Sequence, residues 1–470
     1  MAAHDFTADD LEAAGALGGS ADPGYIRPED PRTQAALEHW QDLKVGVIIH
    51  WGLYSSIGQG GSWSLHRERL GEFTDPPEHF TGTDAEYHDW YYDQRRTFHG
   101  AEYDPVEWAR ACADAGMRYL VFTAKHHDGF AMYDTAYSNL KSTAEDAALG
   151  RDVFGATVEA FRAEGLETGV YFSKADWAHP GYWDRALPVK DRFHNYDIAE
   201  RPQAWQQFVD FTQAQIEELL TRYGTMNVLW LDAGWVREPN EPIGIDRIAE
   251  RARELQPDIL VVDREVHGPH ENYRTPEQTL PAEDPGHPWE SCITMTRSWC
   301  SLRRDDPAKP IEEILGNLLQ IVSRGGNYLI GIGPDAEGRL SASVRERLSE
   351  LGTWLHACGE GIYGTRGGSA DAGEVSGGGL EWHHTRKGQT LYAFALLQDG
   401  PPQHAAQAER DRAADAPGGG PVEVRLPAGA RAARLLGGEG LPLRTAADGA
   451  VTVALTSSPT AHAVGLAVEM

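Results

Sequence analysis

Between residues 44 and 332 short apolar runs alternate with longer amphipathic segments, and this alternation restricts the chain to parallel strands joined by helical crossovers. Strands are predicted at residues 45–50, 119–123, 168–172, 228–232, 259–263, 291–294 and 327–332. Seven are legible, and an eighth is either hidden or absent. Helices are predicted at 105–115, 153–164, 203–223, 243–255 and 311–324. Asp104-Pro105 sets a capping carboxylate before a proline at the first helical position, and Ala115-Gly116 ends the same helix on a residue tolerant of positive φ.

Polar side chains gather where the strands end. His50 follows Val47-Ile48-Ile49, Lys125 to Asp128 follow Leu120-Val121-Phe122, Asp232 follows Leu229-Trp230-Leu231, and Arg264 follows Val261-Val262-Asp263. A core explanation would have to hold at four strands independently, whereas a (β/α) barrel of the TIM type builds its active site at the C-terminal ends of its strands. No GxGxxG follows the first strand and no Walker sequence occurs, so nucleotide binding has no support and no cofactor is expected.

After a last helix at 341–358, Gly367-Gly368-Ser369 and Gly377-Gly378-Gly379 mark a boundary. Alternation in 391–395, 422–426 and 451–455 then predicts short antiparallel strands of a β-sandwich, with 400–420 as a long loop inside it. The expected division is an N-terminal extension at 1–40, a catalytic barrel at 41–366 and the C-terminal β-sandwich at 367–470.

Charge narrows the partners. With 42 Lys and Arg against 71 Asp and Glu, most of the surface repels phosphate backbones and anionic lipid heads, so neither nucleic acid nor membrane is expected. A neutral carbohydrate is indifferent to that charge, and 14 Trp and 17 Tyr supply rings with an apolar face and a polar edge. Cys112, Cys292, Cys300 and Cys358 show no CxxC pair or disulfide spacing, which predicts reduced, buried thiols. Residues 1–20 are acidic and lack the basic start and apolar run of a secretory signal, so a cytoplasmic location is expected.

Two carboxylates stand out. Leu229-Trp230-Leu231-Asp232-Ala233-Gly234-Trp235 delivers Asp232 from an apolar strand into a small-residue turn, a placement suited either to capping the next helix or to catalysis. Glu277, in Tyr273-Arg274-Thr275-Pro276-Glu277-Gln278, follows on a loop after the next strand. Alone it would be a solvated loop residue; with Asp232 it completes the pair that glycoside hydrolysis uses. In Lys125-His126-His127-Asp128-Gly129-Phe130 two imidazoles leave the second strand. Extended neighbours point to opposite sides, and no HxH or HExxH accompanies them, so no metal site is expected. Neutral imidazoles, each donating at one nitrogen and accepting at the other, suit hydroxyl recognition, or else satisfy buried backbone groups.

Lys44-Val45-Gly46-Val47-Ile48-Ile49-His50-Trp51-Gly52-Leu53-Tyr54-Ser55 resembles the opening strand of glycoside hydrolase family 29, the α-L-fucosidases. Further segments agree in order: 119–130, 169–173, 230–234, Ser323-Arg324-Gly325-Gly326-Asn327 leading to Gly331-Ile332-Gly333-Pro334, and Gly359-Glu360-Gly361-Ile362-Tyr363-Gly364 at the barrel exit. The resemblance covers residues 43–366. It implies a retaining, exo-acting α-L-fucosidase with Asp232 as nucleophile and Glu277 as general acid/base. It also implies that His50, His126, His127, Tyr171 and Arg264 hold sugar hydroxyls or order the catalytic groups. Trp51 joins them as a substrate-binding candidate, and Trp63, Trp235 or Trp289 would face the fucose methyl. One segment departs: where many members carry Glu-Trp-Tyr, this chain reads Gly61-Ser62-Trp63-Ser64-Leu65-His66-Arg67-Glu68. Lys174 and Asp176 lie near the expected rim without an assigned role. Competing readings are an enzyme for α-L-galactosides on the same scaffold, a carbohydrate-binding protein without catalysis, and a metal-dependent hydrolase built on His50, His126 and His127.

Overall fold

The computed structural model describes residues 24–66, 75–303, 306–368, 374–397, 422–455, 460 and 462–470. Residues 1–20, the end of the departing segment at Arg67 and Glu68, and the 400–420 loop lie outside them. By compactness the chain divides into two units. One takes the described residues up to Pro281 with Gly286–Lys309 and Asn327–Ser349; the other takes Ala282–Pro285, Pro310–Gly326 and the chain from Glu350 onward.

The first unit holds the seven predicted strands: β1 (Val45–Ile49), β2 (Tyr119–Lys125), β3 (Glu167–Ser173), β4 (Val228–Asp232), β5 (Leu260–Asp263), β6 (Glu290–Thr294) and β7 (Asn327–Ile332). All pairs are parallel, in the order β5-β4-β3-β2-β1-β7-β6. The missing eighth place is taken by an irregular segment between β5 and β6. On one side Asp263 N–H donates to His270 at 2.8 Å and Asn272 N–H to Val261 at 3.0 Å; on the other Glu290 N–H donates to Arg274 at 2.8 Å and Gln278 N–H to Cys292 at 2.9 Å. Pro276 has no N–H to offer a ladder, which keeps the segment from becoming a regular strand. It carries Glu277 at its end, bridged to Cys292.

Alternate residues of the strands fill the barrel interior: Ile48, Val121, Tyr171, Trp230, Val262 and Leu329. The helix Pro31–Leu43 adds Leu37 and Trp40, whose ring stacks on Tyr273 at 3.9 Å. The helix Pro105–Asp114 has the predicted caps, with Asp104 accepting from the N–H groups of Val106 and Glu107 and Gly116 at φ 84° closing the end.

In the second unit the strands form one six-stranded and one four-stranded antiparallel sheet. Leu391, Ala393, Ala395, Val464, Leu466 and Val468 from the larger sheet share a core with Val424, Val453 and Leu455 from the smaller, which makes a β-sandwich. All four cysteines are buried and free. Among the described residues no helix is long and apolar enough to cross a membrane.

Candidate active site

Three functional side chains are each followed at once by a non-glycine residue in the left-handed region: Asp232 by Ala233 (φ 67°), Arg264 by Glu265 (φ 61°) and Glu277 by Gln278 (φ 50°). Such residues are uncommon, and their strain is held by the surrounding structure at functional sites. Each reverses the chain directly behind the side chain it follows. Gly234 completes the turn after β4; a Cβ there would lie 2.9 Å from the Arg264 carbonyl oxygen, so only glycine lets the two loops approach.

The result is a charged triad at the strand ends. One guanidinium nitrogen of Arg264 donates to Asp232 Oδ1 at 3.0 Å while the other donates to Glu277 Oε2. Tyr171 donates its hydroxyl to Asp232 Oδ2, so both oxygens of that carboxylate are engaged. Trp299 Nε1 donates to Glu277 Oε1 at 2.7 Å. The Arg264 guanidinium also lies 5.0 Å from the Trp230 ring centroid, which supports it from the barrel interior.

Burial alone would raise the Asp232 carboxyl, but the Arg264 cation, with the Tyr171 hydroxyl, holds it well below the usual carboxylate range. Near neutral pH this favours the ionised carboxylate. Burial opposes the Arg264 cation in turn, and the two carboxylates more than offset this.

Three imidazoles complete the wall. Desolvation, reinforced at His50 by His126, pushes His50 down to about 3, and desolvation brings His127 to about 3 against the opposing pull of Asp232. His126 is lowered by the same burial. All three are neutral near pH 7. Ser173 donates its single hydroxyl proton to the Ala175 carbonyl at 2.7 Å, so it must accept from His127 Nδ1, also at 2.7 Å. This fixes the His127 tautomer: Nε2 is left as an acceptor, 3.8 Å from Asp232 Oδ2 and free to take the proton of a sugar hydroxyl. His126 Nδ1 is held by Ser62 at 2.6 Å.

The neutral imidazoles carry a pH consequence. In the unfolded chain His50 takes up a proton below about pH 6.5, whereas in the fold it does so only near 3. Between those values the unfolded state binds more protons, so His50 makes the fold less stable as pH falls. Relative to His50→Asn, the wild type loses up to about 1.4 kcal/mol per pH unit across this window. Chemical denaturation of both proteins at pH 7, 5 and 4 checks this; a stability difference that stays constant would contradict the neutral imidazole.

The cavity among these groups is lined by His50, Trp63, His126, His127, Tyr171, Asp232, Arg264 and Glu277, together with Ile48, Trp230 and Trp299. Trp235 stands behind that wall, 5.1 Å from His127 and 5.9 Å from Trp63 between ring centroids. Trp51 is corrected. It is fully buried, its Nε1 donates to Asp335, and its ring packs on Phe98, Tyr103 and Trp108. Ile48 and His50 face inward along β1, and period-two alternation sends Trp51 to the other side. Trp289 is buried at the start of β6, the end of the barrel away from the site.

The expectation that His126 and His127 point to opposite sides also fails. β2 has an irregularity between Thr123 and Lys125, and the chain turns at His126, whose carbonyl accepts from Gly129 N–H at 3.0 Å, so both rings face the cavity. Among the described residues no group of three or more His, Cys, Asp or Glu side chains is placed to hold a metal ion. Lys174 and Asp176 belong to two buried ion pairs, Lys174 with Asp263 and Lys125 with Asp176 at 2.9 Å. Trp299 is the contact that reading for carboxylates and imidazoles missed. Its signal was available, since it lies in the loop that follows β6.

Paired carboxylates from neighbouring strand ends of a parallel barrel, walled by indoles and neutral imidazoles, define a glycoside hydrolase site. A family model described as Alpha-L-fucosidase matches residues 19–360. Rat tissue alpha-L-fucosidase is 30% identical over 76% of this chain and 76% of its own length, and Branchiostoma floridae alpha-L-fucosidase is 28% identical over 80% and 82%. Among solved structures, alpha-L-fucosidase isoenzyme 1 from Paenibacillus thiaminolyticus aligns at a TM-score of 0.72 and 28% identity, covering 93% of this chain and 99% of that one. The chain belongs to the α-L-fucosidase family.

Proposed function

We propose that this protein is a retaining, exo-acting α-L-fucosidase in which Asp232 is the nucleophile and Glu277 the general acid/base. The observation that carries the assignment is the Arg264 guanidinium spanning both carboxylates. In the first half-reaction Asp232 attacks the anomeric carbon and loses its charge to the new ester, while Glu277 gives its proton to the departing oxygen and becomes ionised. One negative charge thus moves from one partner of Arg264 to the other, and the ion pair survives the transfer. Water, deprotonated by Glu277, reverses the exchange. The neutral imidazoles of His50, His126 and His127 bind sugar hydroxyls, and Trp63 and Trp299 supply apolar walls for the methyl group.

The test is hydrolysis of p-nitrophenyl α-L-fucoside beside the α-L-galactoside and β-D-galactoside, with the first-formed sugar anomer followed by NMR. Preferential release of α-L-fucose is expected. The β anomer formed first would rule out retention, and preference for a galactoside would replace the substrate.

A further inference from the structure

Ser62 opens the single-turn helix Trp63–Leu65, which carries Trp63 to the catalytic cavity, and it lies in the one segment where this chain departs from the family's pattern. A serine in that place ordinarily spends its side-chain oxygen on the N–H groups of the helix it precedes. Here the Leu65 N–H bonds to the Ser62 carbonyl at 3.1 Å, and the side chain makes no capping bond. The hydroxyl, fully buried, turns instead to His126 Nδ1 at 2.6 Å.

The direction of that bond follows from what each atom would otherwise lack. Were His126 to donate from Nδ1, the Ser62 hydroxyl proton would need a second partner, and among the described residues it has none. A buried donor left without an acceptor is costly. With Ser62 donating, both atoms are satisfied, and the single ring proton of the neutral imidazole falls on Nε2. The ring is held in that orientation by Tyr171, parallel to it at 5.8 Å and 5°, and by Tyr54, edge-on at 5.0 Å. Nε2–H is therefore the group that His126 shows to the cavity it lines.

His127 has the opposite form, since its Nδ1 proton goes to Ser173 and its Nε2 accepts. The two rings lie 4.1 Å apart between centroids, so one wall of the cavity presents a donor beside an acceptor. A hydroxyl placed on His126 must accept, and one placed on His127 must donate.

Resting on the fucosidase reading for its substrate, we propose that Ser62 is a positioning residue that fixes His126 in the Nε2–H form, so that two neighbouring imidazoles of opposite polarity read two hydroxyls of the sugar, one as acceptor and one as donor. The tautomers are read without substrate, from long-range 1H–15N correlation spectra at pH 7 of the full chain labelled with 15N at histidine. His126→Gln and His127→Gln identify the signals of the two rings. His126 is expected to be protonated at Nε2 and bare at Nδ1, and His127 the reverse; protonation of His126 at Nδ1 overturns the proposal. The consequence for the sugar is read from kcat/KM of the wild type and Ser62→Ala on p-nitrophenyl α-L-fucoside and its 2-, 3- and 4-deoxy analogues. Ser62→Ala is expected to lose about tenfold on the parent fucoside, mainly through KM, and far less on the one analogue that lacks the hydroxyl held by His126. Equal losses on all four substrates, or no loss on any, overturn the positioning role. A wild type that cleaves none of the four overturns the fucosidase reading and the recognition of its hydroxyls, while the spectra still decide whether Ser62 sets the His126 tautomer.

Discussion

Asp232→Ala lowers kcat on p-nitrophenyl α-L-fucoside by about 10⁴-fold or more, the scale seen when a covalent nucleophile is deleted, and azide restores turnover with β-L-fucosyl azide as product. Asp232 sits on the face opposite the departing oxygen if the mechanism is a double displacement. Truncation opens a space beside Arg264, which then lacks one of its two carboxylate partners. A small anion is drawn to that space and attacks from the same face as the lost carboxylate, giving inversion in a single step. Removing one member of a buried ion pair costs about 3–5 kcal/mol, so Tm is measured beside activity, and Asp232→Asn, which keeps the shape, serves as the folding control. Wild-type turnover in a folded Asp232→Ala protein would end the assignment.

The elements that position this site were legible wherever side-chain period and end signals agreed. The apolar run before Asp232 became β4, and the carboxylate emerged at its end. The eighth element escaped detection because its backbone pairs irregularly on both sides and includes Pro276, leaving no period of two to read. Ala233, Glu265 and Gln278 adopt the left-handed conformation without being Gly or Asn, so no turn signature announced the three reversals that set the triad. Trp51 lies outside the site because the alternation that puts His50 in the cavity puts its neighbour on the other side. His126 and His127 share one cavity because of an irregularity in β2 that apolar patterning does not record.

Glu277→Ala should separate the two half-reactions. General acid catalysis contributes about 10²–10⁴-fold, and it matters in proportion to how badly the leaving group needs a proton. Release of a sugar alcohol therefore falls by that factor, while release of 2,4-dinitrophenol, which departs as a stable anion, falls far less in the first step. With no base to activate water the second step slows for every substrate, so the fucosyl-enzyme on Asp232 accumulates and KM drops with kcat. Azide needs no deprotonation; it attacks the intermediate and yields α-L-fucosyl azide after two inversions. Trp299 Nε1 and one nitrogen of Arg264 lose their acceptor in this variant, but Arg264 keeps Asp232, so the nucleophile stays ionised and oriented. The opposite anomers from the two variants carry the argument: β from Asp232→Ala and α from Glu277→Ala require different carboxylates on opposite faces of the sugar. The same anomer from both would mean that one of the two residues does not hold its assigned role.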